Sequence, residues 1–238
     1  MKNFFGVIRL RSIIVPAVML VLSTAFAMPV LDVIKADAHA EKTVYFTFDD
    51  GPSEVTEEVL DVLMEEGIKA TFFVIGPSGD KTDERIFRMF SEGHSIGLHT
   101  MSHDYGRIYS SAKEFMNDLE YEREWLFSVI GKECNIFRFP GGSNNSAAEK
   151  WLLEEIKEKA EERGFVWYDW NADSEDSLGI LLSPEEIVQN VLDSEAVEFG
   201  KDVIVLMHDS STRKTAPEAL RMLIDEFRER GYVFGKLG

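Results

Sequence analysis

Thr47-Phe48-Asp49-Asp50-Gly51-Pro52 closes the apolar run 44–48 with two adjacent carboxylates and a Gly-Pro turn. The pattern predicts a strand that delivers a polar pair to its mouth. Side chains alternate faces along an extended chain, so the two acids point apart unless the backbone turns at the pair. Two carboxylates side by side are costly unless something positive lies between them. A divalent metal held by Asp50, with Asp49 left free beside it, resolves that repulsion and gives the acids separate roles.

Working outward, strand and helix signals alternate. Strands are expected over 44–48, 70–75, 95–98, 135–139, 165–170, 203–207 and 232–234. Helices are expected over 53–66, 83–91, 112–130, 147–163, 184–199 and 217–230, and Gly67, Gly93, Gly131 and Gly164 supply four of the stops. Short, nearly continuous apolar strands joined by helices argue for a parallel sheet covered by helices, closed as a barrel or open and doubly wound. In either form the carboxyl ends of the strands are where a site belongs. Those ends carry Asp49 and Asp50, His99 with His103, Arg138, the 169–173 segment and His208.

The 238 residues, 45% of them hydrophobic, suffice for one α/β domain, expected over 41–238. Residues 1–40 differ in kind: Lys2, Arg9 and Arg11 precede the apolar stretch 13–28, and small residues follow. This is the pattern of an export signal, cleaved after Ala27 or, preferably, Ala40; an uncleaved membrane anchor is the alternative. Either places the domain outside the cytoplasm, at the cell surface, in the wall or in the medium. In the first forty residues Lys2, Arg9, Arg11 and Lys35 oppose Asp32 and Asp37, a net +2, so the formal charge of -18 leaves -20 on the domain. Nucleic acid is excluded as a partner on that ground. Cys134 is the single cysteine and cannot form an intrachain disulfide; a small buried apolar role is expected for it.

Of the five histidines, His39 falls in the export segment and His94 reads as structural. His99 and His103 form an i, i+4 pair directly after the third strand, which on a helical turn places both rings within reach of one ion. With Asp50 they make two nitrogens and one oxygen, a set suited to zinc, or alternatively cobalt, nickel or manganese, with positions left for water and substrate.

Thr47-Phe48-Asp49-Asp50-Gly51-Pro52, His99-Thr100-x-x-His103, Arg138-Phe139-Pro140-Gly141-Gly142 and Leu206-Met207-His208-Asp209, in this order, resemble the metal-dependent polysaccharide deacetylases. The resemblance runs from about Val44 to the C-terminus. It implies a distorted (β/α) barrel of about seven parallel strands, a bound divalent metal, and hydrolysis of acetyl groups on sugars. It maps the metal ligands onto Asp50, His99 and His103, the catalytic base onto Asp49 and the catalytic acid onto His208. Arg138 is expected to pair with Asp49, and the Gly141 N–H to bind the oxyanion. Pro140, Gly141, Leu206 and Trp170 are expected to line the substrate pocket, with Leu206 facing the acetyl methyl. The family's Asp-x-x-Asp-Trp motif is matched by Asp173-Ser174-Glu175-Asp176-Ser177, with serine in place of tryptophan; the acetyl pocket is expected either to be more open there or to be filled by Trp170. Asp173 is the expected partner of His208, with Asp169 as second choice. The expected activity is removal of N-acetyl groups from a peptidoglycan or chitin-type N-acetylglucosamine polymer by a monomeric enzyme. The alternatives are an O-acetyl (xylan-type) esterase and a catalytically inactive glycan-binding wall protein.

Overall fold

The computed structural model describes residues 41–77 and 79–238; the export segment expected over 1–40 lies outside them. Elements follow in the order β1 (Thr43–Asp49), α1 (Glu54–Glu66), β2 (Thr71–Val74), α2 (Thr82–Ser91), β3 (Ser95–Leu98), α3 (Tyr105–Ile108), α4 (Ala112–Ile130) and β4 (Ile136–Phe137). They continue with α5 (Lys150–Glu162), β5 (Val166–Trp167), β6 (Ala172–Asp173), α6 (Pro184–Leu192), α7 (Glu195–Glu198), β7 (Val203–His208), α8 (Ala216–Glu229) and β8 (Val233–Gly235). Every strand pairing among the described residues is parallel. Seven strands run in the order β5-β4-β3-β2-β1-β7-β6, and β8 pairs with the first half of β1. The result is a curled (β/α) barrel whose ladder stays open between β5 and β6.

The sequence pattern of β1 explains its place at the centre. Val44, Phe46 and Phe48 are fully buried toward the helices, where Phe46 meets Phe227 of α8 edge-on at 5.9 Å and Phe48 stacks on Phe72 at 5.2 Å. The alternate residues Thr47 and Asp49 face the barrel interior, on the side where Arg138 reaches them.

The expected strand 165–170 is two strands on opposite edges of the sheet. Tyr168 N–H still donates to Phe137 O of β4 at 3.0 Å, whereas Asn171 N–H donates to Ile204 O of β7 at 3.1 Å. The backbone therefore changes partner across residues 168–171 and spans the gap that the ladder leaves. The fully buried Arg138 guanidinium fills this seam, donating through Nε to Tyr168 O at 2.9 Å and through Nη2 to Asp169 O at 3.3 Å. The expected helix 184–199 also divides, α6 capping at Asp193 and α7 beginning after Ser194. Cys134 is buried, as expected; His94, read as structural, is buried too, and its Nδ1 accepts from Ala70 N–H at 3.1 Å.

Candidate active site

The turn after β1 is built to aim Asp50. Its backbone is left-handed, at φ 70°, which turns the second carboxylate away from the strand's alternation. Gly51 follows, and any Cβ there would overlap the Asp209 carboxylate. Asp209 is fully buried and ties the start of α1 to the end of β7: Ser53 Oγ donates to its carbonyl at 2.6 Å and Thr56 Oγ1 to Oδ2 at 2.5 Å. Burial, with Asp50 and Asp49 nearby, pushes the Asp209 carboxyl up to about 7 against the Thr56 hydrogen bond.

On the facing loop, Asp50 Oδ1 lies 3.6 Å from His99 Nε2 and 3.3 Å from His103 Nε2. One ligand atom from each of the three residues lies within 4.8 Å of the others. Asp50 Oδ1 is itself buried and has no hydrogen-bond partner among the described residues. An orphaned carboxylate oxygen facing two imidazole nitrogens is the environment a divalent cation satisfies, so the residues present fit the metal. His99 Nδ1 lies 2.9 Å from Arg138 O, which places the proton there and leaves Nε2 as the free lone pair. Burial keeps this ring neutral, lowering its pKa to about 3. The loop is strained, with Thr100 at φ 73° and His103 at φ 47°. Two acids of α4 hold it: Glu122 Oε1 accepts from His99 N–H at 3.3 Å and Asp118 Oδ1 from Ser102 N–H at 2.9 Å. These acids were not anticipated. Their signal was their position, since both interrupt the apolar stripe of Phe115, Leu119 and Leu126.

Asp49 and His208 are register partners at the mouths of β1 and β7. Arg138 Nη1 donates to Asp49 Oδ1 at 2.9 Å and, among the described residues, to no other carboxylate, while Asp49 Oδ2 lies 3.7 Å from His99 Nε2. Phe73 lies against the guanidinium at 4.4 Å and Trp170 at 5.5 Å from ring centroid to Cζ. Burial raises the Asp49 pKa above the ordinary carboxylate value, opposed by the charges of Arg138 and His208. The carboxylate bound to His208 is Asp176, which corrects the expectation for Asp173 and Asp169. Asp176 Oδ1 lies 2.6 Å from His208 Nδ1, and Oδ2 accepts from His208 N–H at 3.0 Å. Asp173 instead accepts from Trp170 Nε1 at 3.1 Å and Glu175 N–H at 2.8 Å, and Asp169 accepts from Ser143 N–H at 2.9 Å. The physical reason is the pairing of Asp173 with Leu206 in β6 and β7, which uses that residue inside the ladder three positions before the chain reaches His208. Burial alone would lower the His208 pKa; the hydrogen bond and charge of Asp176, with Asp49 and Asp50, outweigh it and raise the value to about 9.

Gly141 has φ 77°, and its N–H makes no hydrogen bond among the described residues. Its loop is pinned by Tyr109 Oη, which donates to Pro140 O at 2.7 Å, and by Asn145 Nδ2, which donates to Gly142 O at 2.8 Å. Gly141, Gly142, Asp169 and Trp170 line a cavity of about 220 Å³. Leu206 is buried two residues before His208 on the same strand face. Tyr105, which packs edge-on to His103 at 5.5 Å, is a further residue at the mouth that the spacing did not single out.

The family model for polysaccharide deacetylase matches residues 36–156. A peptidoglycan-N-acetylglucosamine deacetylase of Bacillus cereus is 32% identical over 197 residues, covering 81% of this chain and 68% of that one. Among solved structures, the catalytic domain of peptidoglycan N-acetylglucosamine deacetylase from Eubacterium rectale is similar at 33% identity with a TM-score of 0.77, over 83% of this chain and 89% of that one. A CE4 esterase of Streptococcus mutans is similar at 27% identity with a TM-score of 0.74, over 84% and 87% respectively.

Proposed function

The chain belongs to the polysaccharide deacetylase family, and from that premise we propose that it is an exported, zinc-dependent enzyme that hydrolyses the N-acetyl groups of N-acetylglucosamine units in a cell-wall glycan, with peptidoglycan as the leading substrate. The observation that carries this reading is the unpartnered Asp50 Oδ1 facing the ring nitrogens of His99 and His103, beside an Asp49 that Arg138 holds by one oxygen. The substrate assignment is supported by the two relatives named for peptidoglycan N-acetylglucosamine. Export is supported by the composition of residues 1–40.

Asp50, His99 and His103 would hold the metal. When bound, zinc supplies Lewis-acid polarisation of the acetyl carbonyl and acidifies a water molecule. Asp49 takes the proton of the attacking water on Oδ2, the oxygen that Arg138 leaves free. Its buried setting makes it a stronger base than a solvated carboxylate. The Gly141 N–H donates to the oxygen that becomes negative as the carbonyl carbon turns tetrahedral. His208, protonated at neutral pH, gives its Nε2 proton to the departing sugar nitrogen, so that the products are acetate and a free amine. Asp176 on Nδ1 fixes the ring's orientation and stabilises its positive charge. Leu206 and Trp170 offer apolar surface to the acetyl methyl.

The test is acetate release from N-acetylglucosamine oligomers, peptidoglycan and O-acetylated xylan, after chelation and after zinc is restored. Zinc-dependent release from the first two is expected. Release from the xylan alone would replace this reading with an O-acetyl esterase, and binding without release from any substrate would replace it with an inactive glycan-binding protein.

A further inference from the structure

Trp151 is the second residue of α5, the helix that follows the Gly141 loop in the chain. The buried stripe of α5 is Leu152, Leu153, Ile156 and Ala160, and Trp151 lies off it with 66% of its surface exposed. A single exposed apolar residue is ordinary; this one stands between two concavities. On one side a cavity of about 570 Å³ is lined by Tyr109, Asn144, Asn145 and Trp151 among others. On the other, a cavity of about 370 Å³ is lined by Ser110, Ser111, Lys113 and Trp151 among others. Both volumes fall in the range of ligand pockets.

The larger cavity shares a wall residue with the cavity beside the Gly141 loop. Asn144 lines both it and the 220 Å³ cavity beneath Gly141 and Trp170. Asn145 Nδ2 donates to Gly142 O at 2.8 Å and to Tyr109 Oη at 3.0 Å, so the loop that presents the Gly141 N–H also forms the cavity wall. A pyranose ring has flat C–H faces and a rim of hydroxyl and acetamido groups. An exposed indole flanked by amide and hydroxyl side chains matches both features.

We propose that Trp151 is a remote sugar-binding platform, on which one ring of the glycan chain rests while another unit of the same chain presents its acetyl group to Asp49 and His208. The proposal deepens, and rests on, the deacetylase reading. It makes the enzyme's efficiency depend on chain length, because only an oligomer long enough to span both places gains the stacking.

The experiment compares the zinc-loaded wild type with Trp151→Ala and Trp151→Phe on N-acetylglucosamine oligomers of two and six units, by acetate release and by calorimetric titration with the hexamer. Trp151→Ala is expected to reduce the hexamer-to-dimer ratio of kcat/KM by about fivefold to tenfold, through KM, and Trp151→Phe to restore most of it. An unchanged ratio, or equal losses on both lengths, would overturn the platform. If the wild type releases no acetate, the deacetylase reading fails, and the titration decides the platform separately. Weaker hexamer binding by the Ala variant supports it, and equal affinities overturn it.

Discussion

The two halves of the barrel mouth are built by opposite rules. On the β1–β3 side, Asp50 Oδ1 has no hydrogen-bond partner among the described residues, His99 and His103 turn their Nε2 atoms toward it, and Asp50, Thr100 and His103 all sit in left-handed backbone. On the β4–β7 side the side chains that act are held: Arg138 spends its donors on Thr47, Asp49, Tyr168 and Asp169, and His208 is held twice by Asp176. Unsatisfied lone pairs converge where a cation supplies the missing partner. Satisfied ones occur where a side chain must hold one orientation through a proton transfer. Glu122 and Asp118 act on the first half from α4, since Glu122 Oε1 and Asp118 Oδ1 tie down the strained loop that carries the ligands.

The largest effect expected from breaking this contrast comes from His103→Ala, which removes one of three donors from the unsatisfied half. Zinc content by elemental analysis should fall well below one per chain, with activity falling in step; full zinc content would remove His103 from the ligand set. On the satisfied half, Asp176→Asn should leave zinc in place and act on pH dependence. His208 is protonated below about 9, so activity needing that proton is lost as pH rises through 9. Removing the anion leaves burial to dominate, so the alkaline limb should move down by about one to three pH units; a limb that stays at its wild-type position contradicts the pairing. The His99 N–H donates to Val74 O at 2.9 Å as well as to Glu122 Oε1 at 3.3 Å, so Glu122→Leu removes the second acceptor only and should cost roughly 1–2 kcal/mol of stability and weaken zinc about 10- to 100-fold. Glu122→Gln keeps an acceptor and should cost less than about 1 kcal/mol by thermal melting; equal losses in the two variants would deny the positioning role. The smallest effect is that of Asp173→Asn, for which the alkaline limb is expected to coincide with the wild type's.

The parts that could be read from sequence were those in which local pattern and chemistry coincide. Alternating apolar strands and glycine stops located β1, β2, β3 and β7, and the run of acids and histidines at their ends marked the mouth. Parallel pairing in register then puts Asp49 beside His208, which no local pattern states. The expectation of Asp173, with Asp169 second, as the partner of His208 failed because the partner depends on where the chain crosses the open seam. That crossing is set by tertiary hydrogen bonds of Tyr168 and Asn171 to different strands. Asp209 lay within a recognised motif yet drew no role, because its partners Ser53 and Thr56 are more than 150 positions away. Glu122 and Asp118 drew no role from the sequence, although their spacing puts them on the buried stripe of α4, where an acid needs a partner.

The division of labour between the adjacent acids is tested most directly by measuring zinc content and acetate release in the same preparations of Asp49→Asn and Asp50→Ala. The account predicts that Asp49→Asn retains zinc at one per chain and loses about a thousandfold or more in kcat, whereas Asp50→Ala loses the metal and the activity with it. Zinc retained by Asp50→Ala, or turnover surviving in zinc-loaded Asp49→Asn, would contradict it.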